Sequence, residues 1–210
     1  MIAQLVTTSN AHQLIAHYAK LTQASRFKVP RNGPKNPVKG LLKWLLGFTL
    51  DFPLQSATPR FDAIRAALEQ GDIQGFENAA RKVIGLGPGL TPSGDDFVAG
   101  CMYVLAHHAP AHWQADMPSL KSHLHAAAMQ LTTACSAAHL DNAMRGDSFD
   151  ALRHMLDALT ADTFNEPHWQ RILQAQQDLQ NIGASSGADM LAGMLTALIA
   201  LEKNRVFSEK

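Results

Sequence analysis

A chain of 210 residues with 46% apolar and 17% charged residues is long enough to bury a sizeable core and too apolar for a disordered one. Its two cysteines, Cys101 and Cys135, each lie in an apolar run, which argues against a disulfide framework and for reduced, buried thiols in the cytoplasm. The formal net charge of zero hides a lopsided distribution: residues 1–50 hold seven Lys/Arg and no acid, leaving 18 − 7 = 11 Lys/Arg against 18 acids in the remainder.

Taken in chain order, "IAQLVTT" at the start is the one strand-like alternation. Ser9 or Asn10 is placed to cap a helix through about Gln23, with Leu14, Tyr18 and Leu21 on one face. His12, His17 and Lys20 interrupt its apolar residues, so it does not resemble a signal peptide. "RFKVPRNGPKNPVKG" is too rich in Pro, Gly and Asn for regular structure. A short apolar segment, "LLKWLLGFTL", follows, and Pro53 helps to end it. Residues 60–70 and 72–84 read as a helical hairpin broken at Gly71, with Asp72 as the second cap. After the Gly/Pro loop "IGLGPGLTPSGDDF" come an apolar helix over about 93–108 and a long helix over 117–145 that ends at Gly146. Helices near 148–160, 166–181 and 186–203 complete the chain. No apolar stretch approaches the roughly 20 residues that span a bilayer.

The expected fold is therefore mainly α, a compact multi-helix domain with little or no strand. Residues 1–55 form a basic helix, loop and apolar segment, and residues 56–210 form the helical core. Within that core, "SGDDFVAGCMYVL" (93–105) aligns without gaps to "SGADMLAGMLTAL" (186–198), six of thirteen positions being identical. Each copy follows a loop that begins Ile-Gly, so two glycine-loop-to-helix units recur in pseudo-symmetric halves.

The chemistry of these two helix starts is open to more than one reading. Ser93-x-x-Asp96 and Ser186-x-x-Asp189 both fit a capping box, in which serine and acid satisfy the first helical N–H groups. Capping has no use for Asp95, however, and "GLGPGL" is more elaborate than a tight turn requires. Glycines let backbone N–H groups approach a ligand, and a helix N-terminus adds about half a positive charge, which together suit a small anion. An anion beside Asp95 and Asp96 calls for a cation, and Mg²⁺ held by Asp95, Asp96 and Asp189 meets that need; a metal-free polar site is the other possibility. Pure capping leaves the loop a scaffold only.

In "LTTACSAAHLDNAMRGD" (131–147), Thr132, Ser136, His139 and Ala143 share one helical face, placing Thr133, Ser136 and His139 at the rim of such a pocket. A plainer reading has the hydroxyls bonding their own helix within a small-residue interface. His107 and His108 at a helix end suit its dipole, and neither cysteine has a metal-ligand partner at useful spacing. The basic tract 20–43 carries no nucleic-acid-binding motif and almost no aromatic residue, so nucleic acid is not an expected partner.

"LGPGLTPSGDDFVAG", "TTACSAAHLDNAMRGD" and "IGASSGADMLAGMLTAL" together resemble, in order and spacing, a bacterial family defined by the GLTPSGDD signature. Some of its members are encoded with genes for purine and allantoin breakdown, and one is similar to the third subunit of oxamate carbamoyltransferase. The resemblance spans about residues 60–202. Its motifs fall on Gly85, Gly87, Gly89, Leu90, Thr91, Pro92, Ser93, Gly94, Asp95 and Asp96; then on Thr132, Thr133, Ser136, Leu140 and Gly146; then on Gly183, Ser186, Gly187, Asp189 and Gly193. Members of the family usually carry a strand-containing N-terminal region, in whose place this chain has the basic residues 26–43.

The resemblance implies a carbamoyltransferase subunit of purine nitrogen catabolism, not active alone, that works with other subunits or copies of itself. It also implies a small anionic metabolite such as carbamoyl phosphate or oxamate. The candidate catalytic residues are Asp95 and Asp96. The candidate substrate-binding residues are Gly87, Gly89, Thr91, Ser93, Gly94, Thr133, Ser136, Ser186 and Gly187, and Mg²⁺ is the cofactor to test. The competing expectation is a non-catalytic assembly or regulatory protein whose basic arm docks an acidic partner.

Overall fold

The structure, a computed structural model, describes residues 10–20, 38–163 and 165–208, with side chains to residue 204. The strand candidate "IAQLVTT", Leu21 and most of the basic loop lie outside the described residues. Among those described the chain is helical and has no strand, as the periodicity predicts.

Helix α1 (residues 10–20) buries Leu14 and Tyr18. It is tied down by polar contacts distant in sequence: Asn10 Nδ2 donates to the Ala161 carbonyl at 3.2 Å, and Gln180 Nε2 to the Tyr18 hydroxyl at 2.7 Å. The apolar segment that follows contains the short α2 (Leu42–Leu45) and stops at Gly47, whose φ of 78° few other residues adopt. It enters the core: Trp44 packs against Phe61 and Phe97, with ring centroids 5.9 and 5.6 Å away.

The hairpin α3 (Thr58–Gln70) and α4 (Ile73–Arg81) turns where the sequence places it. Gly71 takes the left-handed C-cap, and the Asp72 side chain accepts from Gly75 N–H. Helix α5 (Ser93–His108) is buried on every side through Leu105, as befits its unbroken apolar run.

The single long helix expected over 117–145 is two helices, α6 (Met117–Leu131) and α7 (Ala134–Arg145). Thr132 is fully extended, and Thr133 caps α7 by accepting from Ser136 N–H at 3.1 Å. Both threonine hydroxyls donate outward, to Asp95 and to the Leu90 carbonyl. These tertiary bonds break a helix that local propensity alone would continue. Helices α8 (Asp150–Thr160) and α9 (Glu166–Gln180) form a second hairpin, and α10 (Ser186–Ser208) closes the fold.

Helix α10 packs most extensively against α5, and two glycines explain the closeness. A Cβ on Gly100 would overlap the Met190 carbonyl and approach Met194 N, while one on Gly193 would overlap the Phe97 carbonyl and approach Cys101 N. The two contacts are reciprocal, since 100, 97 and 101 become 193, 190 and 194 when shifted by the 93 residues that separate the repeats. The repeats thus pair about a local twofold, their N-terminal ends side by side.

Candidate functional site

At the joined ends the three acids take different roles, although two are neighbours in sequence. Asp95 is wholly buried and fully engaged. Its Oδ1 accepts Gly85 N–H at 2.6 Å, and its Oδ2 accepts the hydroxyls of Ser136, at 2.6 Å, and of Thr132. It therefore staples the glycine loop to the α6–α7 break. With three donors on one carboxylate, Asp95 is spoken for by the fold.

Asp96 is 1% exposed, and neither of its oxygens has a hydrogen-bond partner among the described residues. Burial pushes its pKa up to about 7, and the Asp189 and Asp95 carboxylates add to the rise. The Ser186 and Thr91 hydroxyls lie near enough to draw it partly back down. Neither meets hydrogen-bond geometry to Asp96; the two bond each other instead, at 3.0 Å.

Asp189 is the mate of Asp96 under the repeat. It is also fully buried, and its pKa is raised to about 6, again chiefly by burial. Its Oδ1 accepts the Leu41 peptide N–H at 2.6 Å, while its Oδ2 has no partner among the described residues. The Leu41 N–H lowers its pKa, and the nearby Ser93 and Ser185 hydroxyls add to that. The arrangement is crossed: the acid at the fourth position of each helix faces the serine that opens the other.

At the start of α5 this geometry replaces the capping-box expectation. Pro92 is the N-cap of α5 and makes no side-chain cap bond, and Asp96 returns no bond to the helix start. The three acids expected to hold Mg²⁺ are not equally placed to do so. Among the described residues no three His, Cys, Asp or Glu side chains form a group suited to a metal ion. Asp95 faces its three donors, so only Asp96 and Asp189 keep unpartnered oxygens.

The glycine loop is held at both ends. Leu86 N–H donates to Val83, Gly94 N–H to Leu86, and the Thr133 hydroxyl to Leu90. Gly87 and Gly89 have φ of 124° and 96°, which all but require glycine. Their N–H groups and that of Thr91 enter none of the loop's backbone bonds. Gly89 and Leu90 are exposed, Leu90 at 73%. Gly94 and Gly187 serve packing, since a Cβ on either would overlap the carbonyl of Val83 or Leu179.

Of the two cysteines expected to be buried, Cys101 is and Cys135 is exposed. The other expected positions divide similarly. Ser136 acts through the Asp95 staple and Thr133 caps α7 and holds the loop at Leu90, whereas Thr91, Ser93 and Ser186 surround Asp96 and Asp189. His139 is half-buried and stacked on Phe149 at 5.8 Å, with Nε2 3.3 Å from Met190 Sδ; burial lowers its pKa. Sequence reasoning misses the segment at Gly40 and Leu41. Gly40 adopts φ 49° directly against Asp189, where a Cβ would meet the carboxylate. The only local sign is a glycine at the end of the basic loop, and nothing in it points 148 residues ahead.

No helix of the described residues is long and apolar enough to cross a membrane. No solved structure matches the chain. The family model described as oxamate carbamoyltransferase subunit AllH matches residues 83–198, a span that contains the glycine loop, the Asp95 staple and both paired helix starts. That match covers more than half of the sequence, and the chain belongs to the family of this carbamoyltransferase subunit.

Proposed function

We propose that this protein works in the cytoplasm as the ligand-holding subunit of a carbamoyltransferase assembly in purine nitrogen catabolism. It binds a small anion of the carbamoyl phosphate or oxamate kind at the glycine loop and the paired starts of α5 and α10. The observation that carries the reading is Asp96, a carboxylate buried at the junction of two helix N-termini with both oxygens unpartnered among the described residues. Burying such a group without donors is costly, and sites of this kind concentrate where a ligand is bound.

An anion is tolerated there for two reasons. The charge of Asp95 is met by three donors, and Asp189, whose pKa is raised to about 6, takes up a proton as a negative ligand approaches. The N–H groups of Gly87, Gly89 and Thr91, which enter none of the loop's backbone bonds, and the two helix N-termini are left to receive the negative end. A carboxyl near neutrality is also suited to exchange a proton with the ligand at cellular pH. Catalysis belongs to the assembled enzyme, with other subunits contributing the remaining groups.

The test is a thermal-shift series on the full chain with carbamoyl phosphate, oxamate and phosphate, each with and without Mg²⁺. At 100-fold excess over the dissociation constant, a bound ligand stabilises by about 2.7 kcal/mol. For a chain of this size that raises Tm by roughly 5–10 °C. A Tm unmoved by all three, in both metal conditions, overturns the reading.

A further inference from the structure

Asp189 and Asp96 are equivalent under the local twofold: each is the fourth residue of its helix, each is buried, and each lies near the first serine of the other helix. They differ in what they accept. The chain supplies Asp189 with an amide N–H, that of Leu41, at 2.6 Å. It delivers this donor on Gly40, whose missing side chain lets the backbone come against the carboxylate. The corresponding oxygens of Asp96 accept no hydrogen bond of good geometry from the described residues; the nearby Ser186 and Thr91 hydroxyls are bonded to each other. The protein thus contains its own template for what a carboxylate at this position takes.

We propose that Asp96 reads the amide end of the ligand, its carboxylate accepting the N–H bonds of a –CO–NH2 group as Asp189 accepts the peptide N–H of Leu41. The inference rests on the proposed anion site and specifies how the ligand lies in it. The –NH2 group has two N–H donors and Asp96 two free acceptor oxygens. The hydroxyls of Thr91 and Ser186, now bonded to each other, are placed to turn toward the amide carbonyl. The negative end then points away from the acids toward the N–H groups of Gly87 and Gly89. A ligand with oxygen in place of the –NH2 group sets lone pairs against lone pairs at Asp96, so the residue acts as a specificity filter for amides.

Oxamate and oxalate differ at that group, which in oxalate also carries a second negative charge, so isothermal titration of the full chain compares them alongside N,N-dimethyloxamate, a monoanion like oxamate. The wild type is expected to favour oxamate by about 10- to 100-fold, the range for leaving a buried polar group unpaired. Asp96→Asn presents a donor as well as an acceptor, and its oxamate-to-oxalate ratio should fall to near unity or invert while its Tm stays at or above that of the wild type. N,N-dimethyloxamate, which lacks N–H, should bind the wild type no better than oxalate, a comparison that needs no variant. Equal affinity of the wild type for oxamate and oxalate, or a preference that survives Asp96→Asn, overturns the assignment while leaving an anion site in place. Absence of binding by oxamate, oxalate, carbamoyl phosphate and phosphate alike overturns the site itself.

Discussion

Asp95 and Asp96 are adjacent and chemically identical, and the fold uses them oppositely. Removing Asp95 strands Gly85 N–H and two hydroxyls, each of which loses an acceptor that bears charge. Asp95→Ala is therefore expected to destabilise by about 3 kcal/mol, read as a lower midpoint in urea with an unchanged slope. Asp96→Asn removes a buried charge that no donor meets, so its stability at pH 7.5 should equal or exceed that of the wild type. The reverse ranking would show that Asp96, not Asp95, holds the loop in place. The difference is invisible in "SGDD", because consecutive positions on a helix point about 100° apart and only the surroundings decide which of them meets donors.

Among the elements, the pairing of α5 with α10 does most to place the site. The glycines that permit it were legible as the Gly100/Gly193 match within the repeat, and so was the extent of α5, bounded by Pro92 and by Ala109-Pro110. The interruption at Thr132–Thr133 was not, since "LTTACS" carries no Gly or Pro and the break is made by hydrogen bonds to Asp95 and Leu90, about 40 residues away. Nor was the contact of Leu41 with Asp189. Gly100→Ala tests the pairing. Alanine gains about 1 kcal/mol of helix propensity, but its methyl overlaps the Met190 backbone, and overpacking of this kind costs about 1–3 kcal/mol or more. We expect a net fall in Tm of several degrees, accompanied by weaker ligand binding; an alanine that stabilises would show that the helices have room to part.

For the whole molecule, two buried acids with raised pKa values impose a pH dependence opposite to that of an ordinary salt-bridged carboxylate. Below about pH 4 both the folded and the unfolded forms are protonated at these sites. As pH rises, the unfolded chain ionises first, so stability is lost across the interval from about 4 up to about 6 for Asp189 and about 7 for Asp96, and is level above it. The groups that set the Asp96 value are Asp189, Asp95, Ser186 and Thr91. Urea titrations between pH 4.5 and 8 should therefore show a slope in the wild type that is shallower in Asp96→Asn. Equal slopes would mean that Asp96 is already met by a donor.

On the proposed function, the same acid would link folding to metabolism. A chain whose interior holds an unanswered carboxylate unfolds more readily when its metabolite is scarce and is protected when the metabolite is plentiful. Proteolytic half-life in the cell should then track supply, so that the amount of this subunit adjusts to nitrogen flux without any change in transcription.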